Sequence, residues 1–375
     1  MVFLINASNL KAGGGLQVAD SICEQLAHFK NHRFVVVLSR FLNQTYELIK
    51  NYDNVTVFRY DIPDSFQTIV LGRDRILDRI VADNQVDAVL TVFGPSRWKP
   101  RVPHLSGFAF SQLVIPESPF FLRMSKMELL KWRLWCWVRK LSIKKSADCF
   151  WTENAFISER LKQLFKIKEV YTVTNYYNQV FDLPDRWQQR ITIPIFDGIT
   201  CLSVSSSGPH KNLGIIAGVL RYLNSTHPGF KIRFVLTVSQ ESLPLADDVR
   251  DSVLCIGKVD ISECPNLYKQ ADIMFMPSLL ECFTATYPEA MRMGVPIVTT
   301  DLEFAHSLCG NAACYYGAED EEAAAEAVYR VATDKEYAQQ LVENGKRKLL
   351  SYDNYEQRAQ KLIKILEVLV SSRSF

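Results

Sequence analysis

The chain has 375 residues, 48% of them hydrophobic and 22% charged, with a net charge of +2. That length accommodates two domains with separate cores, and the composition is that of an ordinary globular protein. The near-balanced charge excludes nucleic acid as an obligatory partner, because no overall basic field exists to hold it.

Nine cysteines are dispersed without a Cys-x-x-Cys pair or a His/Cys metal spacing, so reduced thiols in a cytoplasmic protein are expected. The opening run MVFLINASNL is too short and lacks the basic flank of a signal peptide. No segment offers the roughly 20 apolar residues of a transmembrane helix.

In chain order, residues 2–5 read as a buried strand, followed by NASNLKAGGG and an amphipathic helix over 16–29. A strand, a glycine-rich loop and a helix place backbone amides near Gly14 and Gly15 where a phosphate can approach, or else form a flexible crossover turn. The Gly-x-Gly-x-x-Gly dinucleotide spacing is absent. Strands at 34–38, 55–58 and 87–92 and a helix around 66–81 continue a βαβ rhythm, the pattern of a parallel sheet with helices on both faces. His104 is a loop residue beside Pro103 in this reading.

Residues 122–145 are unusual, with eight Lys or Arg against a single Glu and three tryptophans. As a helix, Leu130, Leu134, Trp137 and Leu141 share a stripe, and Lys131, Trp132, Arg133, Trp135 and Trp137 are the residues expected to meet an anionic membrane surface. The alternative is a core-packed helix with a solvated basic side. Strands at 148–152 and 170–173 flank a helix starting near 154 and close a first domain over 1–175. The aperiodic stretch 176–197 reads as a linker.

The second half restarts with a strand at 200–204 and the loop SSSGPHKN (205–212), where small residues and Lys211 precede a helix. This is a diphosphate seat or an exposed surface lysine. Strands at 231–238 and 253–256, the loop GKVD (257–260) and a short helix at 263–270 follow. Residues 272–300 then place a polar loop and a helix between two apolar strands. Glu281 lies in the loop and Glu289 in the first helical turn, with the amides of Phe283, Thr284 and Ala285 just before the helix. Carboxylates there can accept hydrogen bonds from sugar or ribose hydroxyls. Thr286 and Glu289 also have the spacing of a capping box. Helices over 319–333, 336–351 and 355–370 complete the chain.

The string ECFTATYPEAM (281–291) with MGVPIV (293–298) resembles the donor-site signature of retaining family 4 glycosyltransferases. That resemblance is strong in the second half and loose over most of residues 1–350. It implies an α/β fold of GT-B type, two Rossmann-like βαβ domains facing a central cleft: 1–175 on the acceptor side, 198–352 for the donor, and 353–375 bracing the first domain.

It further implies that Glu281 and Lys211 are the catalytic pair. Glu289 would hold the ribose, Cys282, Phe283, Thr284, Ala285, Gly14, Gly15 and Ser206 would line the donor, and the loop at Val259 would receive the base. Ser206 stands where the family carries an arginine, and Phe108 where it carries a histidine, with His104 the nearest substitute on the acceptor side. The implied reaction moves a sugar from a nucleotide-sugar donor, a UDP-sugar by preference, to a glycan or lipid-linked glycan of O-antigen or capsule type. Peripheral attachment to the inner face of the cell membrane goes with such an acceptor. No cofactor is implied, and no Asp-x-Asp motif calls for a metal ion. A sugar-nucleotide epimerase or phosphorylase, or a non-catalytic sugar-nucleotide scaffold, are the alternatives.

Overall fold

A computed structural model describes residues 1–69, 71–243 and 246–373. They form two parallel β-sheets with helical crossovers, and the chain divides into two compact units. The first comprises Met1–Ile115, Lys126–Asn175 and Asp353–Phe375; the second comprises Pro116–Ser125 and Tyr176–Tyr352.

The first sheet holds β1 (Val2–Ala7), β2 (Arg33–Leu38), β3 (Val55–Arg59), β4 (Ala88–Thr91), β5 (His104–Gly107), β6 (Cys149–Thr152) and β7 (Val170–Thr172), in the order β3-β2-β1-β4-β5-β6-β7. The second holds β8 (Ile199–Ser203), β9 (Ile232–Leu236), β10 (Val253–Cys255), β11 (Ile273–Met276), β12 (Ile297–Thr300) and β13 (Ala313–Tyr316), in the order β10-β9-β8-β11-β12-β13. Successive strand residues point to opposite faces, so a run buried throughout needs cover on both. In β1, Phe3 and Ile5 join a core that includes Leu362 and Leu366 of the terminal helix. Leu4 instead packs with Leu77 and Trp98 on the other face.

The expected helix over 66–81 is two helices, Phe66–Ile69 and Arg75–Asp83. The Asp74 carboxylate accepts from the amides of Ile76 and Leu77, both at 3.0 Å, and so starts a new helix where apolar spacing alone continued the old one. Strand β5 was not expected. It is four residues long, and its last residue is glycine because a Cβ there would stand 1.9 Å from the Val92 carbonyl oxygen.

Two acceptor-side assignments are corrected by β5. His104 is fully buried; its Nε2 pairs with Thr91 Oγ1 at 2.8 Å and its Nδ1 with the Ser146 carbonyl at 2.9 Å. With both ring nitrogens engaged in the core, it has no face for an acceptor. Phe108 is buried as well, edge-on to Phe110 and Phe165. Burial lowers the His104 pKa from 6.5 to about 4, so the unfolded chain binds this proton more tightly than the native one. The stability it contributes is complete above pH 6.5 and is lost as pH falls toward 4. In pH-dependent melting experiments, His104→Gln is expected to destabilise by about 2–4 kcal/mol at neutral pH and to flatten the decline over that acid window.

The basic stretch is a helix, Lys126–Ser146. Leu129, Trp132, Cys136 and Ile143 form its half-buried to buried face, while Arg139 and Lys140 lie over the rings of Phe110 and Phe165. Trp132 therefore turns inward, which corrects its assignment to a membrane-facing set. Trp135 lies off the outer stripe, beneath the Arg139 guanidinium at 5.4 Å. Lys131, Arg133 and Trp137 are exposed.

The terminal helix Tyr355–Arg373 belongs to the first unit. Thr174 and Asp353 clamp its start: the Asp353 carboxylate accepts from the Thr174 amide at 3.0 Å, and the Asp353 amide donates to Thr174 Oγ1 at 2.6 Å. One turn on, Arg358 is only 1% exposed; it donates to Asn175 Oδ1 and, at 2.6 Å, to Ser21 Oγ.

Candidate active site

In the second sheet β8 and β11 are neighbours, and the strand order runs outward from them in opposite directions. Loops leaving the carboxyl ends of such a pair diverge, and ligands of open α/β sheets bind in the gap. The loop after β8 carries Ser206 and Lys211, and the loop after β11 carries Glu281 through Ala285.

These loops, and the strand ends that carry them, are tied to each other. Ser203 Oγ donates to the Phe275 carbonyl at 2.6 Å, and the Leu279 amide donates to the His210 carbonyl at 2.8 Å. Beyond them Lys211 Nζ donates to Glu281 Oε1, an ion pair whose side chains are 13% and 10% exposed. Lys211 is aimed by the short turn Pro209–Lys211, which ends with Asn212 at φ 52°. Asparagine tolerates that left-handed conformation better than most residues.

His210 had no role in the sequence-based expectations, yet it borders the pair. Burial lowers its pKa, against the opposing pull of the Glu281 carboxylate, so the neutral ring is favoured. Its ring stands edge-on to Phe120 at 6.4 Å. Phe120 arrives on Pro116–Ser125, where Ser118 Oγ donates to the Leu279 carbonyl at 2.6 Å. On the same segment Arg123 donates to Glu319 and to Asn212 Oδ1. An arginine thus stands beside the residue after Lys211, whereas Ser206, at the position expected from the resemblance, is exposed.

Glu289 is held differently from a capping residue. Ala285 is the N-cap of the helix Thr286–Met293, so Thr286 lies inside the helix and its hydroxyl pairs with that of Thr284 at 2.8 Å. The Glu289 carboxylate instead accepts from the Tyr268 hydroxyl at 3.0 Å. Burial raises its pKa to about 7, opposed by that hydrogen bond. The Thr-x-x-Glu spacing is therefore not a capping box. At the helix end Gly294, at φ 71°, lets the Val295 amide reach the Ala290 carbonyl at 2.9 Å and turn the chain into β12.

The remaining expected residues fall into place around this centre or apart from it. Cys282 and Thr284 have buried side chains, Phe283 meets the edge of Tyr352 at 6.5 Å, and Ala285 caps the helix. Val259 is half-buried in the loop after β10. Gly14 and Gly15 belong to the first unit, opening the helix Gly14–Glu24 after β1, at the corresponding switch between β1 and β4. Among the described residues no group of three or more His, Cys, Asp or Glu could hold a metal ion, and no helix is long and apolar enough to cross a membrane.

Residues 187–348 match the family described as Glycosyl transferases group 1. No curated protein matches the chain in sequence. Among solved structures it is similar to sucrose-phosphate synthase from Thermosynechococcus elongatus, with 15% identity, TM-score 0.72 and 99% of each chain covered. A glycosyltransferase from Rickettsia africae is similar at 14% identity and TM-score 0.69, with 98% of each chain covered. The Anabaena protein HepE, crystallised with UDP and glucose, is similar at 14% identity and TM-score 0.65, over 98% of this chain and 99% of that one. The fold is of GT-B type, and the family match lies within the second unit.

Proposed function

We propose that the protein transfers a sugar from a nucleotide-sugar donor, a UDP-sugar first, to a lipid-linked or surface-polysaccharide precursor, with retention at the anomeric carbon and without a metal ion. The observation that carries this reading is the Lys211–Glu281 pair at the switch point of the second sheet. With no ligand, each charge neutralises the other and lowers the cost of its burial. A donor exchanges those partners. Its diphosphate takes the Lys211 ammonium and the amides of Phe283 and Thr284, and Glu281 is released to accept hydrogen bonds from sugar hydroxyls.

As the bond from the anomeric carbon to the diphosphate breaks, negative charge gathers on the departing oxygen, where a fixed cation and peptide dipoles stabilise it. The acceptor oxygen bonds to the same face and gives its proton to the departing phosphate, so no protein base is required. HepE was crystallised with UDP and glucose, which favours a UDP-sugar here. An epimerase would need further acid/base groups, and His104, the first unit's candidate, is buried and hydrogen-bonded.

Thermal-shift titration with nucleotide sugars tests the donor, since a ligand at a hundredfold excess over its Kd stabilises the native chain by about 2.7 kcal/mol. Turnover with membrane extract, read by the anomeric configuration of the product, tests the transfer. No shift with any nucleotide sugar overturns the reading, and binding without turnover leaves a scaffold. Glu289 supplies a further check. If its ionised form holds the ribose, UDP affinity rises with pH through about 7. Glu289→Gln is expected to weaken UDP by roughly tenfold and to abolish that pH dependence, as measured by calorimetry.

A further inference from the structure

The helix Lys126–Ser146 has two apolar faces, and only one is covered. Opposite Trp132 and Ile143, the side chains of Met127, Leu130, Leu134, Trp137, Val138 and Leu141 are between 46% and 64% exposed. Their spacings of three and four residues set them in one stripe along the helix. On the helical wheel the exposed Lys126, Arg133 and Lys144 border one edge of the stripe, with Lys131 and Lys145 toward the other. The helix carries seven Lys or Arg against the single Glu128, which lies away from the stripe.

A soluble protein rarely leaves so long a run of large apolar side chains in water without a partner for it. The basic edges specify that partner's charge. Long cationic side chains can reach outward to phosphates while their stems stay on apolar surface, and tryptophan suits the boundary between headgroups and acyl chains. We propose that this helix lies in the headgroup layer of an anionic bilayer, with the stripe against the acyl boundary and the basic edges on lipid phosphates. The inference rests on the proposed function only in that a lipid-held acceptor gives the docking a purpose; its geometry stands without it.

Sedimentation of the full chain with vesicles, without any sugar nucleotide, tests it. Affinity is expected to be about tenfold or more higher for phosphatidylcholine containing phosphatidylglycerol than for phosphatidylcholine alone, and to fall as salt is raised. The triple variant Lys126→Gln, Arg133→Gln, Lys144→Gln is expected to bind roughly a hundredfold more weakly, and the double variant Leu134→Ser, Trp137→Ser about tenfold or more weakly. Both sets alter exposed side chains, so melting temperature and UDP affinity stay at wild-type values. Equal binding to neutral and anionic vesicles overturns the proposal, as does wild-type binding by both variants. A concentration-dependent dimer that Trp137→Ser abolishes, with no vesicle binding, also overturns it and assigns the stripe to a second copy. Loss of transfer activity with vesicle binding intact would count against the enzymatic reading alone.

Discussion

Glu281→Ala is expected to lower sugar transfer by about three orders of magnitude while the chain keeps its fold. The carboxylate pairs with Lys211 at the sheet's switch point, and in the proposed reaction it fixes the sugar at the moment the diphosphate leaves. Removing a group that acts mainly in the transition state depresses kcat and kcat/KM together. The structural cost is smaller, because Lys211 keeps some contact with solvent and can rehydrate. Glu281→Gln separates charge from shape: it keeps the volume and one acceptor oxygen but frees Lys211 from its counter-charge. UDP should then bind at least as well as to the wild type, while transfer stays low. Steady-state kinetics with UDP calorimetry measure both, and unchanged turnover in Glu281→Ala would remove this residue from the site.

The second large effect lies in the other unit. Arg358→Ala is expected to destabilise the protein by about 3–5 kcal/mol and to free the terminal helix, measurable as lower melting temperature and faster amide exchange over residues 355–373. Arg358 is buried beside Glu153, whose pKa burial raises to about 7 against the pull of the guanidinium; burial in turn lowers that of Arg358 to about 10. Neither group is comfortable there alone. Deleting the arginine takes one donor from the Asn175 and Ser21 side chains and removes the guanidinium's pull on Glu153, pushing its carboxyl further toward the neutral form. Arg358→Met, which fills most of the volume, should recover part of the loss; no change in either variant would show that the Thr174–Asp353 clamp and the packing of Leu362, Ile363 and Leu366 hold the helix without it.

What could be read from the sequence follows from where the information sits. Strands β1, β8, β11 and β12 are buried on both faces, and each carries or adjoins a short apolar run, Val2–Ile5, Cys201–Leu202, Ile273–Met276 and Val295–Val298, so their positions were legible. The loops bearing Lys211 and Glu281 were legible because each follows such a strand directly. Strand β5 was not: His-Leu-Ser-Gly beside a proline resembles a loop, and only burial by its neighbours reveals His104 as a core residue. The contribution of Ser118, Phe120 and Arg123 to the second unit could not be read either, since no local pattern announces that ten residues cross to another core. The helix Lys126–Ser146 showed an apolar stripe in sequence, but two opposed stripes blur one another, and which tryptophan faces outward depends on the packing of Trp132. Glu289 fitted a capping box by spacing; the start of its helix and the reach of Tyr268 decided otherwise.

The central claim is that one cation and one carboxylate exchange partners when the donor arrives, and a crystal structure of the full chain with bound UDP addresses it most directly. The expected result is a diphosphate within hydrogen-bond reach of Lys211 Nζ and the amides of Phe283 and Thr284, a ribose on Glu289, and Glu281 parted from Lys211. A nucleotide bound elsewhere, or bound with the Lys211–Glu281 pair intact and the diphosphate facing away from it, would contradict the account.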